Sequence, residues 1–286
     1  MLFHQIKHFF INELSPLYSK NELQAMWNLC LMEVLYSNQI EFLKNPLTEI
    51  EVSKEIAFLN VLERLKQKEP IQYILENAWF CDSKYVVTPA VLIPRPETEE
   101  LVYLINPSIE NKKLSILDIG TGSGCIAISL KKYHPQTHVI GVDISEEALL
   151  VAQKNGNTII GKDAIEFIRL DALNQNFAQN FNSKFDIIVS NPPYITIDES
   201  SSLESNVINF EPHLALFCDH DPLLFYRSII QSAKQLLTKN GLLFFEIHEN
   251  MAAAIYDLLL FEKFSSIEIY KDFQKKDRII KARYNL

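Results

Sequence analysis

The stretch Leu114-Ser115-Ile116-Leu117-Asp118-Ile119-Gly120-Thr121-Gly122-Ser123-Gly124 decides the fold of this chain. A largely apolar, strand-like run passes straight into three glycines at alternate positions, and residues 125–132 then carry apolar side chains at helical spacing. Glycine lets a backbone turn tightly and approach a ligand, and a helix start presents free N–H groups at the same place. A second strand, His138-Val139-Ile140-Gly141-Val142, ends at Asp143, the spacing at which doubly wound folds hydrogen-bond a ribose diol. Asp143 could instead cap a helix, but Ser145 before Glu146-Glu147-Ala148-Leu149 is the better N-cap. Gly120, Thr121, Gly122, Ser123, Gly124 and Asp143 are therefore candidate cofactor contacts. Alone they fit NAD as well as S-adenosylmethionine, although Gly-x-Gly-x-Gly is not the dinucleotide pattern Gly-x-Gly-x-x-Gly.

The remaining segments complete a sheet. Residues 165–170 read as a third strand ending at Asp171-Ala172, beside the adenine edge in such an order, and Phe185-Asp186-Ile187-Ile188-Val189-Ser190 reads as a buried fourth. Residues 223–237 and 251–260 have helical spacing around a fifth strand at 241–247. Residues 264–270 and 278–284 alternate across a charged turn, the pattern of a terminal antiparallel pair. No further domain is expected after residue 194. Residues 1–75 differ: they hold no glycine, and apolar residues recur at helical spacing through Leu23, Met26, Trp27, Leu29, Cys30, Met32 and Tyr36, and through Ile56, Leu59, Leu62 and Leu65. The expected organisation is a helical domain at 1–75, a proline-studded hairpin linker at 76–96, and a doubly wound, Rossmann-like α/β domain at 97–286.

The fourth strand ends in Asn191-Pro192-Pro193-Tyr194, where an open parallel sheet binds its ligands. Two prolines remove two N–H donors and stiffen the turn, so the groups around them point where the chain puts them. A rigid turn closing a strand is the plain reading. The chemical reading is alkylation of a planar NH2 group, whose delocalised lone pair becomes nucleophilic once both N–H bonds are held. Asn191 Oδ1 and the Pro192 carbonyl can accept those protons, and Tyr194 can stack on the planar group. The glycine turn on the first strand and this tetrapeptide on the fourth together favour an amino methyltransferase.

Composition sets outer limits. The 286 residues carry a net charge of −9, which argues against autonomous duplex nucleic-acid binding, whereas a cationic sulfonium suits an acidic protein. The basic cluster Lys271, Lys275, Lys276, Arg278, Lys281 and Arg283 reads as solvated edge charges. The four cysteines, Cys30, Cys81, Cys125 and Cys218, form no Cys-x-x-Cys pair, so neither zinc nor a disulfide framework is expected. No metal site is expected. Of seven dispersed histidines, His248 lies nearest the ligand end of the strands, and a supporting role is its expected one. With no apolar run of bilayer length and no signal-peptide pattern, a cytoplasmic location away from membranes is expected.

Four segments carry a family resemblance: Pro70-Ile71-Gln72-Tyr73-Ile74-Leu75, Leu92-Ile93-Pro94-Arg95-Pro96-Glu97-Thr98-Glu99, Asp118-Ile119-Gly120-Thr121-Gly122-Ser123-Gly124 and Asn191-Pro192-Pro193-Tyr194. With Phe210-Glu211-Pro212, Ala215-Leu216 and Tyr226-Arg227, they make essentially the whole chain resemble the HemK/PrmC family, peptide chain release factor N5-glutamine methyltransferases of class I methyltransferase fold. The resemblance implies the glutamine of a release factor's Gly-Gly-Gln loop as substrate and S-adenosylmethionine as donor. It implies donor contacts at Gly120 to Gly124, Asp143, Ala172 and Asn191, and glutamine contacts at Asn191, Pro192, Pro193 and Tyr194, with Asn191, Pro192 and Tyr194 catalytic. The Arg-Pro-Glu-Thr-Glu segment is the most family-specific; Asn-Pro-Pro-Tyr is shared with nucleic-acid amino methyltransferases, so an adenine N6-type enzyme, stacking its base on Tyr194 or Phe80, is the alternative. Two departures, at Phe217-Cys218-Asp219-His220-Asp221-Pro222-Leu223 and at Glu246-Ile247-His248-Glu249-Asn250, bear on loop geometry and partner contacts.

Overall fold

The computed structural model describes residues 1–36, 40, 44–109 and 113–285. Two units result, residues 1–76 with 204–210 and residues 77–203 with 211–286.

The first unit is helical: α1 (Phe3–Leu14), α2 (Lys20–Glu33), α3 (Val52–Lys66) and the single turn α4 (Ile71–Ile74). The start of α2 is a reciprocal capping box, in which the Ser19 N–H donates to Glu22 Oε2 at 2.8 Å and the Glu22 N–H donates to Ser19 Oγ at 3.4 Å. Phe10, Trp27 and Phe58, one from each long helix, meet with ring centroids 5.7 to 6.0 Å apart and form the centre of the core. Most of the expected apolar positions point inward: Leu23, Met26, Trp27 and Cys30 on α2 and Leu62 and Leu65 on α3 are buried, joined by Phe58 and Val61. Ile56 and Met32 are exposed instead, and Tyr36, past the end of α2 with φ +49°, is the most exposed of the set. Sequence spacing continues through a helix end, but the buried stripe does not.

In the second unit, β1 (Asn77–Phe80) and β2 (Ser83–Val86) pair antiparallel. Cys81 and Asp82 between them take φ of +44° and +55°, the paired left-handed conformation of a type I′ turn. Helix α5 (Pro96–Ile109) has proline at its first position and Glu97 and Glu99 in its first turn, each favourable at the positive end of a helix. Then come β3 (Ser115–Ile119), α6 (Cys125–Tyr133), β4 (His138–Asp143), α7 (Glu146–Ile159), β5 (Glu166–Arg169) and β6 (Phe185–Ser190). They are followed by α8 (Ser205–Phe210), which belongs to the first unit, α9 (His213–Leu216), α10 (Leu224–Leu236), β7 (Leu237–Glu246), α11 (Ala252–Phe261), β8 (Phe264–Lys271) and β9 (Asp277–Tyr284).

The large sheet runs β5-β4-β3-β6-β7-β9-β8, parallel through β7 and antiparallel at the β9 and β8 end. Its side chains alternate between two helix-covered faces. Ile116, Ile187, Val189 and Phe244 pack toward α5 and α6, while Leu117, Ile188, Leu243 and Phe245 pack toward α10 and α11. Strand β7 begins earlier than expected, because buried Leu237 pairs with buried Phe185 before the register skips and Leu242 resumes opposite Ile187. Asn240, at φ +65°, lies in that irregularity. At the antiparallel end, Lys271 pairs with Asp277, Lys276 with Glu249, Arg278 with Asp272 and Lys281 with Glu268, so most of the basic cluster is balanced within the chain. Strand order reverses at β3, between β4 and β6, and the crevice beyond those strand ends is where such sheets bind ligands.

Candidate active site

The glycine turn is tied to the sheet before it reaches any ligand. The Gly120 and Thr121 N–H groups both donate to the Val142 carbonyl, at 2.8 and 2.9 Å. Gly120, Gly122 and Gly124 take φ of +76°, +54° and +80°, a region that favours glycine. Asp118 Oδ2 accepts from Thr121 Oγ1 at 2.6 Å and from the Ala127 N–H at 3.2 Å, joining the strand end to the start of α6. Burial pushes the Asp118 carboxyl up to about 7 against those two hydrogen bonds.

Asp143, at the end of β4, holds the turn from the other side. Its Oδ2 accepts from the Gly122 N–H at 2.9 Å and its Oδ1 from the Ser145 N–H at 3.0 Å. Burial raises its pKa and those bonds oppose the rise. Ser145 caps α7, its Oγ accepting from the Ala148 N–H at 3.1 Å, so capping is not the task of Asp143. Beyond β5, the Leu170 N–H donates to the Asp143 carbonyl at 2.9 Å, and the Ala172 carbonyl accepts from Ser228 Oγ at 2.5 Å.

On β6, Ser190 Oγ donates to the Ile119 carbonyl at 2.6 Å and locks the tetrapeptide's strand to the glycine strand. Asn191 Nδ2 donates to Thr98 Oγ1 at 3.3 Å, and Thr98 Oγ1 donates to Glu246 Oε2 at 2.7 Å. Glu246 closes β7, and burial pushes its carboxyl up to about 7. Arg95 Nη2 donates to the buried Glu211 at 2.5 Å, joining the segment before α5 to the one before α9.

These pieces surround one cavity of about 470 Å³, whose walls include residues 119–123, 143–145, 170–173 and 190–193 together with Arg95 and Thr98. Every site residue expected from the sequence lines it except Gly124 and Tyr194. A Cβ on Gly124 would meet Ile128 Cδ1 at 2.7 Å and Ala152 Cβ at 3.2 Å, so this glycine lets α6 and α7 pack closely. The Tyr194 ring lies beside the His248 ring, with centroids 5.8 Å apart, and packs against the core. Burial pushes its hydroxyl up to about 12. Phe80 is in the core, edge-on to Tyr85. His248 Nδ1 accepts from the Asn250 N–H at 3.2 Å. The departing loop at 217–223 is zipped onto the chain after Tyr194, with Cys218 N–H on the Ile195 carbonyl at 3.0 Å and Ile197 N–H on the Asp219 carbonyl at 2.9 Å. Asp219 there takes φ +55°, a conformation that glycine adopts freely.

The sequence alone assigns no role to Thr98, Glu246 or the Arg95–Glu211 pair. These residues stand inside recognisable segments, but only folding brings positions 95, 98, 191, 211 and 246 to one end of the sheet. Among the described residues, no three His, Cys, Asp or Glu side chains are grouped as metal ligands, and no helix is long and apolar enough to cross a membrane.

The cavity fits S-adenosylmethionine. A Cβ added at Gly120 or Gly122 would stand in open space, so the two glycines leave a bare backbone cradle on the cavity wall. Among the described residues, the charged walls comprise the carboxylates Asp143, Glu147 and Asp171 against the cation Arg95, itself paired with Glu211, a balance that suits a sulfonium. The strand order, the glycine cradle and the acid at the end of β4 define a class I, S-adenosylmethionine-dependent methyltransferase. A methyltransferase-domain family model matches residues 110–279, more than half the chain. A solved Thermus thermophilus 16S rRNA methyltransferase, in complex with AdoMet and guanosine, superposes with a TM-score of 0.51 over 73% of this chain and 50% of that one at 20% identity, a likeness of fold. Relatives named release factor glutamine methyltransferase are closer in sequence. That of Flavobacterium psychrophilum is 38% identical over 99% of this chain and 100% of its own length, and that of Bacteroides thetaiotaomicron 40% identical over 94% and 95%. The chain belongs to the release factor glutamine methyltransferase family.

Proposed function

We propose that this enzyme transfers a methyl group from S-adenosylmethionine to the side-chain amide nitrogen, N5, of the glutamine in the Gly-Gly-Gln motif of peptide chain release factors. The observation that carries the reading is the state of Asn191: its Nδ2 is engaged by Thr98, while among the described residues no donor reaches its Oδ1, on a side chain lining the cavity beside Pro192. A primary amide needs two acceptors for its two N–H bonds, and Asn191 Oδ1 and the Pro192 carbonyl supply them. The names of the relatives supply the acceptor's identity.

When bound, S-adenosylmethionine supplies an electrophilic methyl group. The glycine cradle would hold its amino-acid end, Asp143 its ribose and the 171–172 segment its adenine edge. Asn191 and Pro192 fix the plane of the glutamine amide, and Pro193 holds that turn rigid. Positioning of this kind accounts for most of the acceleration asked of the site, since a well-oriented pair reacts as if at very high effective concentration. A neutral amide is also inexpensive to bring into a dry cavity, because no charge is desolvated with it. Tyr194 supports the tetrapeptide from behind through its packing against His248 and the core. The helical unit at 1–76 would grip the body of the release factor, and the enzyme would work in the cytoplasm beside its substrate.

The test is Asn191→Ala. Turnover on a release factor is expected to fall at least about 100-fold, the scale of losing a positioned contact to the reacting group, while the dissociation constant for S-adenosylmethionine moves far less. Near-normal turnover would show that Asn191 does not hold the acceptor amide.

A further inference from the structure

We propose that Thr98 and Glu246 are positioning residues that decide which end of the Asn191 side-chain amide faces the acceptor. This rests on the reading that Asn191 Oδ1 accepts a proton of the substrate amide. An asparagine amide has an oxygen and an NH2 of nearly equal size, so shape alone does not choose between its two orientations. The wrong orientation would present N–H donors to the donor-rich NH2 of glutamine and repel it.

The three residues come from three elements: Thr98 from the first turn of α5, Asn191 from just past β6 and Glu246 from the end of β7. Ser190 pairs with Phe245, which sets Asn191 and Glu246 at the same level of neighbouring strands. Thr98 and Glu246 are 3% and 2% exposed, so water does not readily substitute for their contacts. A hydroxyl has one hydrogen and two lone pairs. Thr98 gives its hydrogen to Glu246 Oε2 at 2.7 Å and therefore offers Asn191 only a lone pair, to which Nδ2 donates at 3.3 Å. Oδ1 is thereby turned away from Thr98. Above about pH 7, where Glu246 is ionised and can only accept, its carboxylate at the far end sets the direction of the whole relay, and the acceptor meets only its last atom.

Three variants test this with two loop peptides, one carrying the native Gly-Gly-Gln and one Gly-Gly-Glu. A glutamate side chain brings acceptors and no N–H donors, so it favours an Asn191 whose NH2 faces forward. Thr98→Val keeps the shape and removes the hydroxyl. It is expected to lower turnover about tenfold or more, the scale of one lost hydrogen bond that holds the reactive orientation, and to reduce the preference for the Gln over the Glu peptide in binding. Thr98→Ser should restore both. Glu246→Gln, isosteric but able to donate toward Thr98, should reproduce the loss of preference. S-adenosylmethionine binding, measured by calorimetry, should stay within about threefold in all three, less than the tenfold that one hydrogen bond represents.

Retention of turnover and of Gln preference by Thr98→Val, alongside their loss in Asn191→Ala, would overturn the relay and leave the role of Asn191 standing. If Asn191→Ala itself keeps both, the reading beneath the relay fails and the relay fails with it.

Discussion

The two glycines at positions 122 and 124 should fail differently when each is given one methyl group. Gly122 has φ +54° and open space around the added carbon, on a residue that lines the cavity. Its replacement by alanine carries only the left-handed backbone cost, about 1–2 kcal/mol. The methyl would nevertheless project where the donor is proposed to approach the backbone. Gly124 has φ +80°, and its methyl would lie 2.7 Å from Ile128 Cδ1 and 3.2 Å from Ala152 Cβ. To the same backbone cost it adds the overpacking of α6 against α7, roughly 1–3 kcal/mol, for a total of about 2–5 kcal/mol. Urea unfolding of both variants should therefore rank Gly124→Ala as clearly the less stable. Calorimetric titration with S-adenosylmethionine should reverse the order, with Gly122→Ala losing at least about tenfold in affinity, ~1.4 kcal/mol, at temperatures where both remain folded. If the two variants were equally destabilised, or if affinity simply followed stability, the division of labour between a bare cradle and a packing contact would be wrong.

Asp143→Ala should weaken S-adenosylmethionine binding more than it lowers saturated turnover, since it loosens the Gly122 and Ser145 N–H groups and removes the carboxylate proposed to accept from the ribose; an unchanged dissociation constant would contradict this. Asn155 is buried and donates through Nδ2 to the Val86 carbonyl at 3.0 Å and the Ser123 carbonyl at 2.9 Å while Oδ1 accepts from the Val86 N–H at 2.7 Å. Asn155→Leu should therefore cost roughly 1–3 kcal/mol for the buried Ser123 carbonyl left unpaired, with a smaller addition from the half-buried Val86 groups, and a loss below about 1 kcal/mol in urea unfolding would show that these groups find other partners. Glu246 gives a pH signature. Burial raises its carboxyl from the ordinary 4.5 to about 7, opposed by Thr98 and Arg278, with Arg95, Glu97 and the Tyr194 hydroxyl also facing it. The folded state thus keeps a proton that the unfolded chain releases. Its contribution is fully present below pH 4.5 and lost as pH rises through 7. Glu246→Gln lacks that loss, so its stability relative to the parent should improve between about pH 5 and pH 8; a relative stability that fell over this range would refute the shift.

The strands and the glycine turn were legible because they depend on near neighbours in sequence. Apolar alternation, positive-φ glycines and the acid ending β4 are all written within a few residues of where they act. The two-residue turn at Cys81 and Asp82 was not legible, since neither residue carries the Asn-Gly signal of a type I′ turn. Nor was the outward face of Ile56 or Tyr36, which depends on where helices end and what packs on them. The place of Tyr194 in the tetrapeptide suggests a stacking platform, but backbone direction after two prolines carries its ring to His248 and away from the cavity walls. The Thr98 and Glu246 contacts join residues almost 150 positions apart. No local pattern could have paired them.

The most direct test of glutamine methylation follows labelled methyl from S-adenosylmethionine to a purified release factor, to the same factor with its loop glutamine replaced by alanine, and to DNA and RNA, with the modified residue located by mass spectrometry. The expected result is a single added methyl on the side-chain nitrogen of the Gly-Gly-Gln glutamine, none on the substituted factor and none on nucleic acid. Label on nucleic acid with an unmodified release factor would contradict it.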